Sequence, residues 1–130
     1  MKYLLDSDWI IDVLAGIPSA VEVLDGLVDD GAAISLISVG ELFEGAFGFP
    51  DPDSHLSRFR QFIAGYDLLG FSERVMERFA RIRNDLRRRG QLIPDMDLLI
   101  AATAIEHALT LLTRNIRHFS RIPELQIYRP

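Results

Sequence analysis

The chain contains no cysteine among its 130 residues, one tryptophan, Trp9, and one lysine, Lys2. The first absence excludes disulfides, a thiolate nucleophile and a cysteine-rich zinc site, and it suits a reducing compartment. The scarcity of lysine excludes chemistry that needs a lysine downstream of the first strand. Long hydrophobic runs are also missing: the apolar stretches fall well short of the roughly 20 residues a membrane span requires. Met1-Lys2 leads straight into a strand-like run with no apolar leader or small-residue cleavage site, so a cytoplasmic location without a membrane partner is expected. Excess positive charge is lacking as well. A formal net charge of −5 argues against a general nucleic-acid coat protein, because phosphate binding is driven by lysine and arginine.

What is there is ordinary in bulk and uneven in detail. Hydrophobic residues make up 48% and charged residues 25%, as in a soluble globular protein, and the length suits one domain over residues 1–130. Arginine supplies 13 of the 14 basic residues, and seven of them lie between positions 74 and 89. That stretch reads either as a basic arm for a polyanion or as a solvated helix face.

Strand and helix signals alternate, which predicts an α/β sandwich with a largely parallel sheet. Residues 2–6 read as the first strand, and Ser7 as the cap of a short helix through Leu14 that Gly16 ends. Pro18 opens a second helix with Val21, Leu24, Leu27 and Val28 as its stripe. Residues 33–37 form the second strand, Ser38 opens the next helix, and a further helix spans about 54–64. A short strand follows near 67–69. Ser72 then caps a long helix to Arg89, with Val75, Phe79, Ile82 and Leu86 at helical spacing and Gly90 as its stop. Asp95 is expected to cap a buried helix over 96–107, followed by a strand at 109–113, a turn or short helix at 115–119 and an edge strand at 125–128.

Polar groups gather where apolar runs end. Asp6 follows Tyr3-Leu4-Leu5, Ser38 and Glu41 follow the second strand, Thr113-Arg114-Asn115 follow Leu109-Thr110-Leu111-Leu112, and Asp97 directly precedes Leu98-Leu99-Ile100. In an open α/β sheet, ligands bind beyond the carboxyl ends of the strands. Each residue also has a plain structural use. Asp6 could help cap the helix that follows it, Asp8 and Asp97 could serve as first-turn acids, Ser38-x-x-Glu41 as a capping box, Asp95 as a cap, and Thr113 and Ser38 as strand-end caps. Together, however, the carboxylates would repel one another unless a cation or protons intervened. The histidines lack metal-ligand spacing, and Trp9 and Phe43 suit a core or a partner contact.

The motifs Leu4-Leu5-Asp6-Ser7-Asp8, Ile37-Ser38-x-x-Glu41-Leu42, Asp97-x-x-Ile100-Ala101-Ala102-Thr103-Ala104 and Leu112-Thr113-Arg114-Asn115-x-x-x-Phe119 resemble, in order and spacing, those of PIN domains. The resemblance is to the small toxins of VapBC toxin–antitoxin systems and covers essentially the whole chain. It implies a three-layer α/β/α sandwich, a metal-dependent endoribonuclease activity and a toxin role in a type II toxin–antitoxin system. It further implies that Asp6 and Asp97 hold Mg²⁺, with Mn²⁺ as a possible substitute, that Glu41 is the third acid, and that Asn115 stands at a fourth position often acidic in relatives. His118 occupies a nearby position that is acidic in some relatives, and Asp8 replaces a common asparagine. The implied partners are an RNA substrate, a small VapB-type antitoxin and a second copy in a homodimer. Two other readings stand beside this one. Asp6-Ser7-Asp8 also resembles the opening motif of haloacid-dehalogenase-type phosphatases, which use a later lysine, and the fold could serve a non-catalytic interaction module.

Overall fold

The computed structural model describes residues 1–130. The elements run β1 (Tyr3–Leu5), α1 (Ser7–Leu14), α2 (Pro18–Leu27), β2 (Ala32–Ser35), α3 (Leu36–Phe47), α4 (Pro52–Ile63), β3 (Asp67–Leu69), α5 (Glu73–Arg88), α6 (Asp95–Glu106), β4 (Thr110–Leu112) and α7 (Ile116–Phe119). The strands form one parallel sheet in the order β3-β2-β1-β4, with Leu4 opposite Ala33 on one side and Leu111 on the other.

The two-residue period of the strands decides where each side chain goes. Tyr3, Leu5, Ala32, Ile34 and Leu112 face one layer, where they pack with Trp9, Ile10, Leu24, Val39, Leu42 and Ile63 from α1–α4. Leu4, Ala33 and Leu111 face the other, packing with Val75, Ile82, Leu86 and Phe119 from α5 and α7 and with the apolar residues of α6. Strands buried on both faces read as unbroken apolar runs, which is why the amino-acid pattern alone points to a parallel sheet. Helix α6 is apolar nearly all round, and Leu98, Ile100, Ala101, Ala102, Thr103 and Ala104 are all buried. A helix of that kind belongs inside a protein; α6 lies between the sheet and α5, and its alanines permit close approach.

Chain direction and layer are linked. From β1 the sheet grows toward β2 and β3, with α1–α4 on one face; it then reverses, and α5 and α6 cover the opposite face on the way to β4. Right-handed crossovers in opposite directions require opposite faces. The reversal places the carboxyl ends of β1 and β4 side by side, where Asp6 N–H donates to the Leu112 carbonyl at 2.9 Å. This is the topological switch point of the sheet.

Several local expectations need correction. The second strand ends at Ser35, because its hydroxyl accepts the Ile37 N–H at 3.1 Å and starts α3 at Leu36. Ser38 therefore lies inside the helix, and no capping box links it to Glu41. Asp6, not Ser7, caps α1 by accepting the Ser7 N–H at 2.8 Å. Pro94 occupies the cap position of α6, while Asp95 is its first residue and turns outward to Arg83 at 3.0 Å. Val28 is exposed beyond the end of α2. The segment 125–128 forms no strand and only a single bridge, Ile127 to Leu111. It still runs beside β4 with strand-like alternation: the Leu111 N–H donates to the Gln126 carbonyl and the Tyr128 N–H to the Leu111 carbonyl, both at 2.9 Å, with Leu125 packed on one face and Tyr128 edge-on to Tyr3 and Trp9 on the other.

Candidate active site at the carboxyl edge of the sheet

Asp6 is the centre of the edge. It leaves a three-residue strand and caps the next helix, so its carboxylate is pinned from both directions. Oδ1 accepts the Ser7 N–H, and Oδ2 accepts the Thr113 hydroxyl at 2.7 Å. The residue is only 4% exposed. Burial pushes its carboxyl up to about 7; the neighbouring Asp8 and, less strongly, Glu41 push the same way, while the bonds from Thr113 and Ser7 resist.

Glu41, one turn into α3, accepts from the Ser7 hydroxyl at 3.2 Å. Burial raises its carboxyl, and the charges of Asp97, Asp8 and Glu44 add to the rise against the Ser7 bond. Asp8, one residue into α1, accepts the Arg114 backbone N–H at 3.0 Å on Oδ2 and faces the Thr113 hydroxyl at 3.3 Å. Since Thr113 has one proton to give, the shorter contact to Asp6 takes it. Asp8 Oδ1 is buried with no partner, and burial is the main cause that raises this carboxyl as well.

Four acids from three separated segments thus act on one another at the end of β1. None of the chain's ion pairs involves Asp6, Asp8 or Glu41. Arg114, the nearest basic residue in sequence to Thr113, is occupied elsewhere: its guanidinium bonds Asp12 at 3.0 Å and lies 4.2 Å from the Trp9 ring. Buried carboxylates left without a basic partner, and one orphaned carboxylate oxygen, form the donor set that a hard cation would complete. No three acids or histidines stand close enough together to hold a metal ion by themselves, so a cation here would be held by one or two carboxylates and water.

Residues 3–125 match the family model described as PIN domain. The chain belongs to the PIN domain family. Ribonuclease VapC2 of Haemophilus influenzae is 29% identical over 128 residues, 97% of this chain and 96% of that one. The tRNA(fMet)-specific endonuclease VapC of Salmonella typhimurium is 28% identical over 127 residues, 98% and 96% of the two chains. Among solved structures, a chain of VapBC2 from Rickettsia felis, bound to a DNA fragment from their promoter, superposes with a TM-score of 0.91 at 29% identity, covering 98% of each chain.

In this PIN domain Asp97 sits in the first turn of α6. Its Oδ2 accepts from Asn115 Nδ2 at 3.2 Å and lies 2.9 Å from His118 Nδ1. Asn115 is tied to the centre as well, since its N–H donates to Thr113 Oγ1 at 3.0 Å. A hydrogen-bonded path therefore runs from Asp6 through Thr113 and Asn115 to Asp97. The structure brings together Asp6, Asp8, Glu41, Asp97, Thr113 and Asn115. It leaves Asp95 out, and the hydroxyl of Ser38 is buried with no partner. His118 is the residue to which the sequence assigns no role of its own. Its signals are its place three residues after Asn115 and the family resemblance, which sets it at a position acidic in some relatives; its partner lies 21 residues earlier in the chain.

Proposed function

We propose that this PIN domain is a divalent-metal-dependent endoribonuclease of the VapC type, the toxin of a type II toxin–antitoxin pair, with Asp6, Glu41 and Asp97 as its essential acids. The observation that carries the reading is the set of interacting carboxylates at the switch point of the sheet, three of them raised by burial and left without a basic partner. Family membership and the VapC relatives support the choice of RNA over other phosphodiesters and leave the phosphatase reading without support.

Asp6 and Asp97 would hold Mg²⁺, or Mn²⁺ in its place. When bound, the cation supplies Lewis acidity at a phosphoryl oxygen and lowers the pKa of a bound water. The chain's own residues prepare that site. Thr113 and the Ser7 N–H fix both oxygens of Asp6, so its remaining lone pairs point in set directions. Ser7 steers Glu41 toward the same edge through its hydroxyl. Glu41, less buried than Asp6 and held by the Ser7 hydroxyl, would orient or deprotonate the attacking water. Asn115 contributes hydrogen bonds and no charge, which favours one firmly held cation over two.

An antitoxin of the VapB type is the proposed protein partner, in line with the VapBC structures that this chain resembles. A homodimer within that complex completes the proposal. Sequencing of RNA 5′ ends after brief expression tests the activity and names the substrate together. Discrete new ends are expected with the wild type and none with Asp6→Asn; the same ends with both would refute the assignment.

A further inference from the structure

Asp97 has one oxygen tied down and one left free. Oδ2 meets Asn115 Nδ2 at 3.2 Å and His118 Nδ1 at 2.9 Å, whereas Oδ1 takes part in no hydrogen bond and is not among the buried unpartnered atoms. An ionised carboxylate only accepts, so both nitrogens turn their hydrogens toward Oδ2. That requires a proton on His118 Nδ1. The 2.9 Å separation of Asn115 Nδ2 and His118 Nδ1 is then the approach of two donors to one acceptor.

We propose that His118 is a positioning residue: together with Asn115 it holds Oδ2 of Asp97 and so presents Oδ1 to the divalent cation. The inference rests on the reading above that Asp97 holds that cation. The terminal torsion of an aspartate is broad and roughly two-fold, so an unrestrained carboxylate samples many orientations. Two donors, one at the cap of α7 and one within it, remove that freedom before the cation arrives. Hydrogen-bond partners of a ligating carboxylate are worth about 10–100-fold in metal affinity. A histidine here therefore constrains an existing ligand where a carboxylate would add another.

Folding does not need the imidazole. Helix α7 is anchored by Phe119, which is fully buried, while the His118 side chain is a third exposed. Variants at 118 should accordingly melt close to the wild type.

The test is calorimetric titration with Mn²⁺, beside RNA cleavage over a Mg²⁺ series. His118→Asn keeps an amide N–H close to where Nδ1 stands; His118→Gln moves it toward the Nε2 position, and His118→Ala removes it. Ala and Gln should weaken Mn²⁺ binding about tenfold or more and raise the Mg²⁺ half-saturation by the same factor, with the rate at saturating Mg²⁺ within about twofold of wild type. Asn should bind Mn²⁺ within about threefold of wild type. Wild-type affinity in His118→Ala, or affinity in His118→Asn as poor as in His118→Gln, overturns the role of His118 alone. Should His118→Ala not fold, the Asn–Gln comparison decides. Failure of the wild type itself to bind Mn²⁺ would overturn the metal reading of Asp97, and this inference with it.

Discussion

Asp6 makes the metal-free protein sensitive to pH in an unusual direction. Its carboxyl, raised to about 7 in the folded chain, titrates near 3.8 when unconstrained, so the folded state holds the proton more tightly. The stability this contributes is complete below about pH 4 and is lost as pH rises through about 7. Asp8 and Glu41 shift in the same direction and reinforce the trend. In chelator, the protein should melt at a higher temperature at pH 5.5 than at pH 8, and saturating Mg²⁺ should recover the loss at pH 8 because the cation replaces the proton. A melting temperature that rises from pH 5.5 to 8 in chelator would show that these carboxylates are compensated in some other way. At this scale the acids are legible in the sequence because each one borders an apolar run. The role of His118 is not, since its contact with Asp97 exists only once α6 and α7 have packed together.

Helix starts show how an element can be recognised while its first residue is misplaced. Ser35 and Ser38 are both serines near the start of α3, and pattern alone favours Ser38 because Glu41 stands three residues on. Only Ser35 makes the cap bond. Ser35→Ala should therefore cost about 1 kcal/mol in urea unfolding. Ser38→Ala removes a buried hydroxyl without a partner and should be neutral or stabilising, since such a group costs about 1–3 kcal/mol to bury. The reverse order would restore the capping box. Helix α5 matches its sequence expectation almost to the residue, because Val75, Ile82 and Leu86 are buried at helical spacing and Ser72 and Gly90 bound it. Its arginines divide in a way the sequence hides. Arg78, Arg81, Arg83 and Arg89 are engaged by Glu106, Glu77, Asp95 and Asp85, while Arg74 and Arg88 have no partner within the chain and Arg87 meets only Asn84. The Arg83–Asp95 pair places this end of α5 beside the helix end that carries Asp97. Neutralising Arg87 and Arg88 together should lower the salt slope of RNA binding by up to about 1.4, roughly 0.7 for each single-strand phosphate no longer neutralised. Arg89 should be left intact, because it also bonds the Arg121 carbonyl at 3.0 Å and its removal would cost stability. An unchanged slope would leave α5 as a solvated face.

At the scale of the whole molecule, strand alternation and burial on both faces are readable in the sequence, but the order β3-β2-β1-β4 is not. Which side of β1 receives β4 depends on how α6 seats between the sheet and α5, and no local pattern encodes that. The apolar side chains of α1 and of the end of α3 divide between core and surface. Trp9 and Ile10 belong to the core, whereas Ile11, Phe47 and Phe49 remain exposed at 49%, 66% and 48%. Ile11, Leu14, Phe49, His55 and Phe59 line a groove of about 200 Å³, with Phe49 stacked on His55 at 3.7 Å. An exposed apolar groove of this kind suits a helix of the proposed antitoxin. Phe49→Asp should abolish co-purification with a co-expressed VapB-type antitoxin and leave RNA cleavage by the free chain intact. Retained co-purification would move the antitoxin to another face.

The most direct measurement is RNA cleavage by purified Asp97→Asn beside the wild type at equal Mg²⁺. The substitution is nearly isosteric, and it leaves an oxygen on the side chain for Asn115 and His118 to bond, so the fold should persist. Removing one metal-holding charge should slow cleavage at least about 10²-fold, on the order of 3 kcal/mol of barrier, with wild-type activity itself lost in chelator and restored by Mg²⁺. Equal rates for Asp97→Asn and the wild type, or wild-type cleavage indifferent to chelator, would contradict a metal-dependent ribonuclease centred on Asp6, Glu41 and Asp97.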